Sequence, residues 1–213
     1  MSKHPDADQK GVRVFESDFM ESLTHVHPAA PIIVWGPVTA YFLYDGAKEQ
    51  TGSEIALTVL AGVLVWTFIE YIFHRYLFHF PAKSDLTKRL VFLFHGLHHD
   101  EPHCKTRLVF PPFPAFLILS VFYFLFSLIV PAIALHTFLA GFLIGYLCYD
   151  YIHYATHHFP MTGKVGRYLR KYHLQHHFSC PDAKYGVSSP LWDYIFNTVE
   201  TKKKRVKGTA SVS

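Results

Sequence analysis

Long apolar stretches alternate with polar segments along the chain. The first two apolar stretches, Val26 to Tyr44 and Ile55 to Phe73, are separated by the polar residues Asp45 to Glu54. The third, Leu108 to Tyr149, contains no Asp, Glu, Lys or Arg. It is about twice as long as a helix that crosses a hydrocarbon core. We therefore expect it to form two membrane helices, which makes four in all.

A proline divides the longest apolar stretch. Pro131 lies near its middle, and proline inside a helix removes a backbone hydrogen bond. We therefore place a turn at Val130 to His136. The four predicted spans then form two hairpins, so the sequence predicts an all-α integral membrane protein.

Lys and Arg lie almost entirely on one side of these predicted spans. Of the 20 Lys and Arg residues, only Lys48 falls within the turn of a hairpin. Because short loops rich in Lys and Arg stay in the cytoplasm, we expect both termini and the segment His74 to Arg107 to be cytoplasmic. The membrane would be the endoplasmic reticulum in a eukaryotic cell or the inner membrane in a bacterium.

The composition fits one membrane domain. Half of the 213 residues are hydrophobic and only 17% are charged, which suits a chain partly surrounded by lipid and gives no reason to expect a nucleic-acid partner. We expect a cytosolic arm at residues 1–25, the membrane domain at 26–200 and a basic tail at 201–213. The three cysteines form no Cys-x-x-Cys pair, so neither a disulfide framework nor a thiolate zinc site is indicated.

Sixteen histidines are the most unusual feature of the composition. Ten of them form four clusters, all on the predicted cytoplasmic side. His153 and His157 are spaced i, i+4, which places both imidazoles on one helical face, and the i, i+3 pairs in the other clusters lie on nearly one face. The ten candidate ligands are His74, His79, His95, His98, His99, His153, His157, His173, His176 and His177.

Neutral imidazole binds first-row transition metals without bringing negative charge to the membrane boundary. Ten ligands are too many for one ion, whereas two ions with four or five nitrogens each would use them all. Glu70 lies four residues before His74, Asp150 lies three before His153, and Asp193 occurs in the sequence Leu-Trp-Asp. Each is therefore a candidate to accept a hydrogen bond from a ligand ring N–H. Capping or ion pairing is the structural alternative for these acids.

The remaining histidines have an ordinary structural interpretation. A single histidine is more often a surface or hydrogen-bonded core residue than a metal ligand. His158 directly follows the pair His153 and His157 but points to a different helical face, so we leave it outside the ligand set. The other histidines interpreted in this way are His4, His25, His27, His103 and His136.

Six longer motifs include or follow the clustered histidines. They are His-Arg-Tyr-Leu-Phe-His (His74 to His79), His-Gly-Leu-His-His-Asp (His95 to Asp100), Arg-Leu-Val-Phe-Pro-Pro (Arg107 to Pro112), Gly-Tyr-Leu-Cys-Tyr-Asp-Tyr-Ile-His-Tyr (Gly145 to Tyr154), His-Leu-Gln-His-His-Phe (His173 to Phe178) and Tyr-Gly-Val-Ser-Ser-Pro-Leu-Trp-Asp (Tyr185 to Asp193). Together these motifs resemble the fatty acid 2-hydroxylases of the fatty acid hydroxylase and sterol desaturase superfamily. The resemblance covers about Trp66 to Glu200, and its Arg-Leu-Val-Phe-Pro-Pro and Leu-Trp-Asp elements are not required by metal binding itself.

The resemblance implies four membrane helices under a cytosolic helical cap that holds two metal ions, with the ten clustered histidines at the ligand positions. It implies an O₂-dependent di-iron monooxygenase that hydroxylates C2 of long acyl chains, free or in sphingolipids and ceramides. Zinc can replace iron at all-imidazole sites. Many members carry a fused cytochrome b-type domain, for which this N-terminus is too short. We therefore expect a separate electron carrier, such as a cytochrome b-type protein or a ferredoxin with its reductase.

Other functions are compatible with part of this pattern. A sterol or carotenoid oxygenase of the same superfamily would differ only in its membrane lipid substrate. A metal transporter would place ligands near the middle of the spans, whereas these histidines lie at the predicted span ends. A haem electron carrier needs two axial histidines per haem rather than clusters of three.

Overall fold

The structure is a computed structural model that describes residues 11–200, which form helices and connecting loops without a β-strand. The all-α prediction is confirmed for these residues. The predicted basic tail 201–213 and residues 1–10 of the predicted arm lie outside the described residues. The helices are α1 (Asp18–Ser22), α2 (Ala30–Gly46), α3 (Gly52–Ile72), α4 (Asp85–Val91), α5 (Leu97–Asp100), α6 (Pro112–Ser127), α7 (Ala132–His158), α8 (Lys164–Phe178) and α9 (Leu191–Ile195), with π-helical segments at Phe73–Phe78 and Phe92–Gly96.

Each predicted apolar span contains one long helix. Two continuous helical stretches, Gly52–Phe78 and Ala132–His158, are 27 residues long and apolar enough to cross a membrane. At roughly 1.5 Å per residue each is about 40 Å long, which exceeds the roughly 30 Å hydrocarbon core. Each helical stretch is therefore longer than the core is thick, and each has clustered histidines near its C-terminal end. The helices α2 and α6 are shorter, with 17 and 16 residues.

The turn between α6 and α7 ends earlier than predicted. We expected it at Val130 to His136, but α7 begins at Ala132 with Pro131 as its N-cap residue. The ring of proline fixes φ near the helical value, and proline at the start of a helix removes no internal hydrogen bond. Pro131 therefore starts α7 rather than lying in the middle of a longer turn.

The helix α3 begins with a reciprocal capping arrangement. The Thr51 hydroxyl accepts a hydrogen bond from the Glu54 amide at 3.4 Å, and the Glu54 carboxylate accepts one from the Thr51 amide at 2.7 Å. Both bonds satisfy amides that the first helical turn leaves without partners. This capping box fixes where α3 starts and so the register of the residues at its other end.

The helix α7 forms the centre of the apolar core. Phe142 is fully buried and meets Trp66 of α3 edge to face, with ring centroids 5.1 Å apart. Phe138, one turn earlier, meets Phe126 of α6 in the same way at 4.9 Å. These edge-to-face aromatic contacts add specific geometry to the area that they bury. They fix α7 against both neighbouring helices.

Two glycines allow α3 and α7 to approach closely. A Cβ atom at Gly141 would lie 2.1 Å from the carbonyl oxygen of Val59, and one at Gly62 would lie 2.1 Å from that of Phe138. Only glycine fits at such a contact, as in many membrane helix pairs. The contact sets the distance between the two helices that carry His74 and His153.

The helix α8 is amphipathic and lies against the histidine-bearing end of α7. Its residues Leu169, Tyr172, His173 and His176 are buried, at the spacing of one helical face. Its Lys and Arg residues lie mainly on the other, exposed face. The fold therefore brings the histidines of α8 into contact with those at the end of α7.

Candidate metal centre

The structure brings the ten clustered histidines together as two groups of five. Within each group, one ring nitrogen of every member lies within 4.8 Å of the others. Neighbouring rings of different groups also touch, so the groups form one continuous cluster. The first group comprises His74, His79, His95, His99 and His176, and the second comprises His98, His153, His157, His173 and His177.

The spacing along α8 explains how one helix serves both groups. Successive residues of an α-helix are about 100° apart, so residues i and i+4 differ by about 40° and residues i+3 and i+4 by about 100°. His177 therefore stays with His173, whereas His176 turns toward the first group. The i, i+4 pairs that stay within one group are His95 with His99, His153 with His157, and His173 with His177.

The division corrects one expectation from the sequence. We expected the i, i+3 pairs to present converging nitrogens, but His98 joins the second group while His95 joins the first. The pair His173 and His176 is divided in the same way. Each His-x-x-His-His cluster thus contributes to both groups.

A π-helical segment explains the pairing of His74 and His79. Residues five apart lie about 140° apart on an α-helix, on nearly opposite faces. From Phe73 to Phe78 the chain is π-helical, and the His79 amide donates to the His74 carbonyl oxygen at 3.2 Å. The π-helical hydrogen bond joins residues i and i+5, so one wide turn brings both imidazoles to the same side.

The Nε2 atoms of the imidazoles face one another within each group. Nearest Nε2 atoms are about one hydrogen bond apart, so Nε2 points inward and Nδ1 points outward. The Nε2 to Nε2 distances are 3.0 Å for His74 and His95, 2.9 Å for His95 and His99, 3.0 Å for His79 and His176, 2.8 Å for His98 and His153, 3.0 Å for His98 and His177, and 2.9 Å for His157 and His173.

Burial keeps these imidazoles neutral. It is the main reason why the pKa values of His95, His98 and His173 lie well below 6.5, and the neighbouring histidines lower them further. Burial also lowers the pKa of His99 to about 4 and that of His176 to about 3. Neutral imidazole is the form that binds a metal. The site is therefore in the ligand form at neutral pH.

Two backbone carbonyls orient members of the first group. The Nδ1 atom of His74 donates to the Tyr185 oxygen at 2.5 Å, and Nδ1 of His176 donates to the Ala183 oxygen at 2.7 Å. A proton on Nδ1 leaves the lone pair on Nε2, so these bonds fix the tautomer that faces the group. These acceptors could not be identified from the sequence, because any residue can supply a backbone carbonyl. The Tyr-Gly-Val-Ser-Ser motif was the available signal.

The three acidic residues contact backbone amides rather than histidines. Glu70 accepts from the amides of Val187 and Ser188 at 2.7 and 2.9 Å. Asp193 accepts from the amides of Tyr185 and Gly186 at 3.0 and 2.7 Å.

Asp150 likewise accepts from a backbone amide, that of Phe110, at 3.1 Å. Among the described residues, neither it nor Glu70 nor Asp193 accepts a hydrogen bond from a clustered histidine, which corrects the expectation of direct contact. Glu70 and Asp193 instead hold the loop whose carbonyls contact the histidines. A carboxylate suits this task because it can accept several amide hydrogen bonds at once.

The other described histidines lie outside both groups. His136 pairs with Asp45 at 2.6 Å near the opposite ends of the long helices, and the His158 ring contacts the Tyr154 ring at a tilt, with centroids 4.5 Å apart. His25 contacts Arg107 at 3.0 Å. Arg107 is buried and also pairs with Glu21 and with Glu101, the latter at 2.6 Å. The Arg-Leu-Val-Phe-Pro-Pro motif thus begins with a structural ion-pair network, a role that the sequence did not indicate.

The donor set fits two transition-metal ions. Each group offers five converging, neutral nitrogen donors and no oxygen donor. Imidazole suits iron, copper, nickel and zinc, whereas calcium and magnesium prefer oxygen. Without a bound cation, several inward Nε2 lone pairs would face one another, which is unfavourable. The chemistry of the residues therefore points to metal binding.

An apolar chamber of about 280 Å³ borders both groups. His95 of the first group and His98 and His153 of the second form part of its wall, together with apolar residues such as Leu93 and Val109. A narrow cleft between α3, α6 and α7 adjoins the chamber and is lined by residues such as Trp66, Ile118 and Tyr146. The chamber and the cleft share Phe78, Phe110 and Tyr149. These three shared side chains place the cleft directly beside the chamber.

Comparison with known proteins identifies relatives across most of the chain. The Arabidopsis thaliana protein named dihydroceramide fatty acyl 2-hydroxylase FAH2 is 40% identical over 199 residues, which cover 93% of this chain and 84% of that protein. The Homo sapiens fatty acid 2-hydroxylase is 35% identical over 92% of this chain and 59% of its own length.

A solved structure shares the fold. The structure described as "Full length scs7p (only hydroxylase domain visible)" matches with a TM-score of 0.83 and 36% identity, over 89% of this chain and 72% of that one. A model of the family described as fatty acid hydroxylase matches residues 59–198. The match covers well over half of the chain and includes all ten grouped histidines, and so this chain belongs to the fatty acid hydroxylase family.

Proposed function

We propose that this chain is a two-metal, O₂-dependent hydroxylase that adds a hydroxyl group at C2 of long acyl chains, free or within sphingolipids and ceramides. The observation that carries the proposal is the pair of five-histidine groups at the wall of one apolar chamber. The printed names of the relatives, which include dihydroceramide fatty acyl 2-hydroxylase, favour the C2 position and an acyl lipid substrate. The same names favour an acyl lipid over a sterol or a carotenoid as the substrate.

The ten grouped histidines are the proposed ligands, five to each ion. When bound, two iron ions would supply the oxidising power that breaks an unactivated C–H bond, which no protein side chain can supply. Zinc also suits the nitrogen donors but has no redox chemistry. The reaction uses one O₂, two electrons and two protons, placing one oxygen atom in the product and the other in water.

The residues of the chain position and shield the reactants. The backbone acceptors on His74 and His176 hold these rings with Nε2 facing inward. The largely apolar walls of the chamber would favour an acyl chain over water beside the metals, and displacing water protects a reactive centre from side reactions. The cleft between α3, α6 and α7 holds the acyl tail, and Phe78, Phe110 and Tyr149 lie where the cleft meets the chamber. C2 of the acyl chain is thereby held beside the histidines.

The proposed architecture is a multi-pass membrane protein with four spans, both termini and the metal centre on the cytoplasmic side. Two helices have the length and composition of spans, and the distribution of Lys and Arg supports the orientation. We propose residues 26–200 as the membrane domain. The two electrons would come from a separate carrier in the cytoplasm, such as a cytochrome b-type protein or a ferredoxin with its reductase.

Expression in cells that lack 2-hydroxylated lipids, together with a suitable reductase, tests the proposal. We expect 2-hydroxy acyl lipids to appear by mass spectrometry, and His98→Ala or His176→Ala to abolish them. The control His136→Ala should retain activity, because His136 pairs with Asp45 away from the metal centre. If oxidised sterols or carotenoids appear in place of 2-hydroxy acyl lipids, the proposed substrate class is wrong. If metal-loaded protein supplied with electrons produces no oxidised lipid, the proposal that this chain is an enzyme is wrong.

A further inference from the structure

We propose that the loop Ala183–Ser188, held by Glu70 and Asp193, supports only the first histidine group, so that the two metal ions are bound with unequal strength. Glu70 and Asp193 would then be positioning residues for one metal rather than for both. The inference rests on the two-metal part of the proposed function and goes beyond it, because it assigns different properties to the two sites. We call this segment the acceptor loop.

The acceptor loop contacts the first group at two of its five members. Its carbonyl oxygens at Tyr185 and Ala183 accept hydrogen bonds from Nδ1 of His74 and His176. Both imidazoles are fully buried, with exposures of 1% and 0%. The two rings also contact each other edge to face, with centroids 4.5 Å apart. A movement of the loop would therefore displace two adjoining ligands of the same group.

Two buried carboxylates fix the position of the acceptor loop. Glu70 of α3 binds the amides of Val187 and Ser188 and also the Ser188 hydroxyl. Asp193 of α9 binds the amides of Tyr185 and Gly186. A carboxylate that accepts several amide hydrogen bonds is among the stronger hydrogen-bonded arrangements in proteins. The loop is thus fixed from two helices.

Asp193 has one further partner. The Thr198 hydroxyl donates to Oδ1 of Asp193 at 2.7 Å and also contacts the Tyr71 hydroxyl at 3.0 Å. The chain after α9 is therefore connected to the same carboxylate. These contacts orient Asp193 toward the acceptor loop.

The second group has no comparable support within residues 11–200. The Nδ1 atoms of His98, His173 and His177 are buried and have no hydrogen-bond partner there. Both groups otherwise consist of the same residue type and combine buried with half-buried rings. Only the first group has identified backbone acceptors on its outward nitrogens.

A hydrogen-bond acceptor on Nδ1 strengthens a metal–histidine bond. It fixes the tautomer, orients the ring and raises the basicity of Nε2, and loss of such a partner lowers metal affinity by about tenfold to a hundredfold. We therefore expect the first group to release its metal more slowly than the second. Weakening the hold on the acceptor loop should abolish that difference.

Metal release from purified protein tests the inference. Protein loaded with zinc, which all-imidazole sites accept, is mixed with excess chelator, and the released zinc is followed over time. We expect two phases of about one ion each, with the slow phase from the first group. The variant His153→Ala/His157→Ala, which lacks two ligands of the second group, should keep only the slow phase.

Asp193→Asn should accelerate the slow phase by about tenfold or more and leave the fast phase unchanged. The matched control is Trp192→Phe, which removes a hydrogen bond to Thr67 from the neighbouring residue of α9 and should change neither phase. If Asp193→Asn does not fold, Ser188→Ala and Thr198→Val each remove one hydroxyl contact with the two carboxylates. These milder variants should accelerate the slow phase less, in the same selective way.

The outcomes separate the inference from the proposed function. Protein that binds two ions but releases them in a single phase, or whose fast phase responds to Asp193→Asn, would refute the unequal support while leaving the two-metal proposal intact. Protein that binds no zinc or iron at all would refute both.

Discussion

The imidazole rings of His99 and His177 are stacked, with centroids 4.0 Å apart and planes inclined by 16°, although they belong to different histidine groups. The stacked pair forms a shared wall between the groups. His99 comes from the short helix α5 and His177 from α8. The contact therefore joins two segments that are distant in sequence at the point where the two groups meet.

We expect the two groups to load metal separately despite this shared wall. The double variant His79→Ala/His176→Ala removes two ligands of the first group whose Nε2 atoms face each other. The double variant His157→Ala/His173→Ala removes two such ligands of the second group. Elemental analysis should find about two ions per chain in the native protein and about one in each variant. Hydroxylated product should fall to background in both, because the proposed reaction uses both metals. Loss of both ions from either variant would show that the groups bind metal as one unit.

Metal-free protein should lose stability on acidification below about pH 6.5. Burial lowers the pKa of His99 to about 4 and that of His176 to about 3, against 6.5 for an exposed imidazole. Between these values the unfolded chain binds protons that the folded chain does not, so the free energy of unfolding falls as the pH falls. Thermal unfolding of the protein in detergent with a chelator, recorded at several pH values, measures this loss of stability.

The matched variant for this effect is His99→Gln/His176→Gln. It should show a shallower dependence of the unfolding temperature on pH, because two of the contributing imidazoles are absent. An unfolding temperature that is constant from pH 7 to pH 5 in the metal-free native protein would contradict the prediction.

Gly141→Ala should destabilise the pairing of α3 and α7. The added methyl group would lie 2.1 Å from the Val59 carbonyl oxygen, and forcing extra atoms into a packed contact costs about 1–3 kcal/mol. The unfolding temperature should fall in a thermal scan. Gly52→Ala is the control, since nothing lies within 4 Å of a Cβ atom there. Equal effects of the two variants would argue against close packing at Gly141.

Ile118→Trp should block the acyl cleft. Ile118 lines the cleft between α3, α6 and α7, so the larger ring would occupy the space proposed for the acyl tail. We expect product formation to fall by about tenfold or more, a loss of about 1.4 kcal/mol of transition-state stabilisation, with metal content unchanged. Val121→Trp, on an exposed face of the same helix, should retain activity. If Ile118→Trp retains full activity, the cleft does not hold the substrate.

Labelling with a membrane-impermeant thiol reagent should place Gln50 and Asp100 on opposite sides of the membrane. The experiment uses single-cysteine variants at these positions after Cys104, Cys148 and Cys180 are replaced by serine. In the proposed topology Asp100 reacts only from the cytoplasmic side and Gln50 only from the other side. Reaction of both from the same side would refute the four-span arrangement.

Much of the fold and of the candidate site could be predicted from the apolar pattern and the histidine spacing. The pattern located all four long helices, because length and freedom from charge are properties of a local segment. It misplaced the turn before α7, because proline at a helix start and proline in a turn look alike in sequence. The family resemblance stated from the motifs is confirmed by the match over residues 59–198.

The partition of the histidines depended on tertiary geometry. His98 and His99 are neighbours in sequence but face different groups, and only the packing of α5 against α7 and α8 determines which group each one joins. The partners of Glu70 and Asp193 were missed for a related reason. Backbone amides carry no signal in the sequence, so a carboxylate near a histidine cluster suggested the histidine as its partner.

The π-helical segment between Phe73 and Phe78 also determines how this region tolerates changes in length. A π-helical turn is equivalent to one residue inserted into an α-helix. Converting this turn to a regular α-helix without removing a residue would rotate His79 by about 100° relative to His74, and the first group would lose a ligand. Deleting one residue from Arg75 to Leu77 at the same time would change the spacing of the two histidines to i, i+4, which keeps both imidazoles on one helical face. The five-residue spacing and the π-helical turn therefore depend on each other, and a change in one requires a matching change in the other.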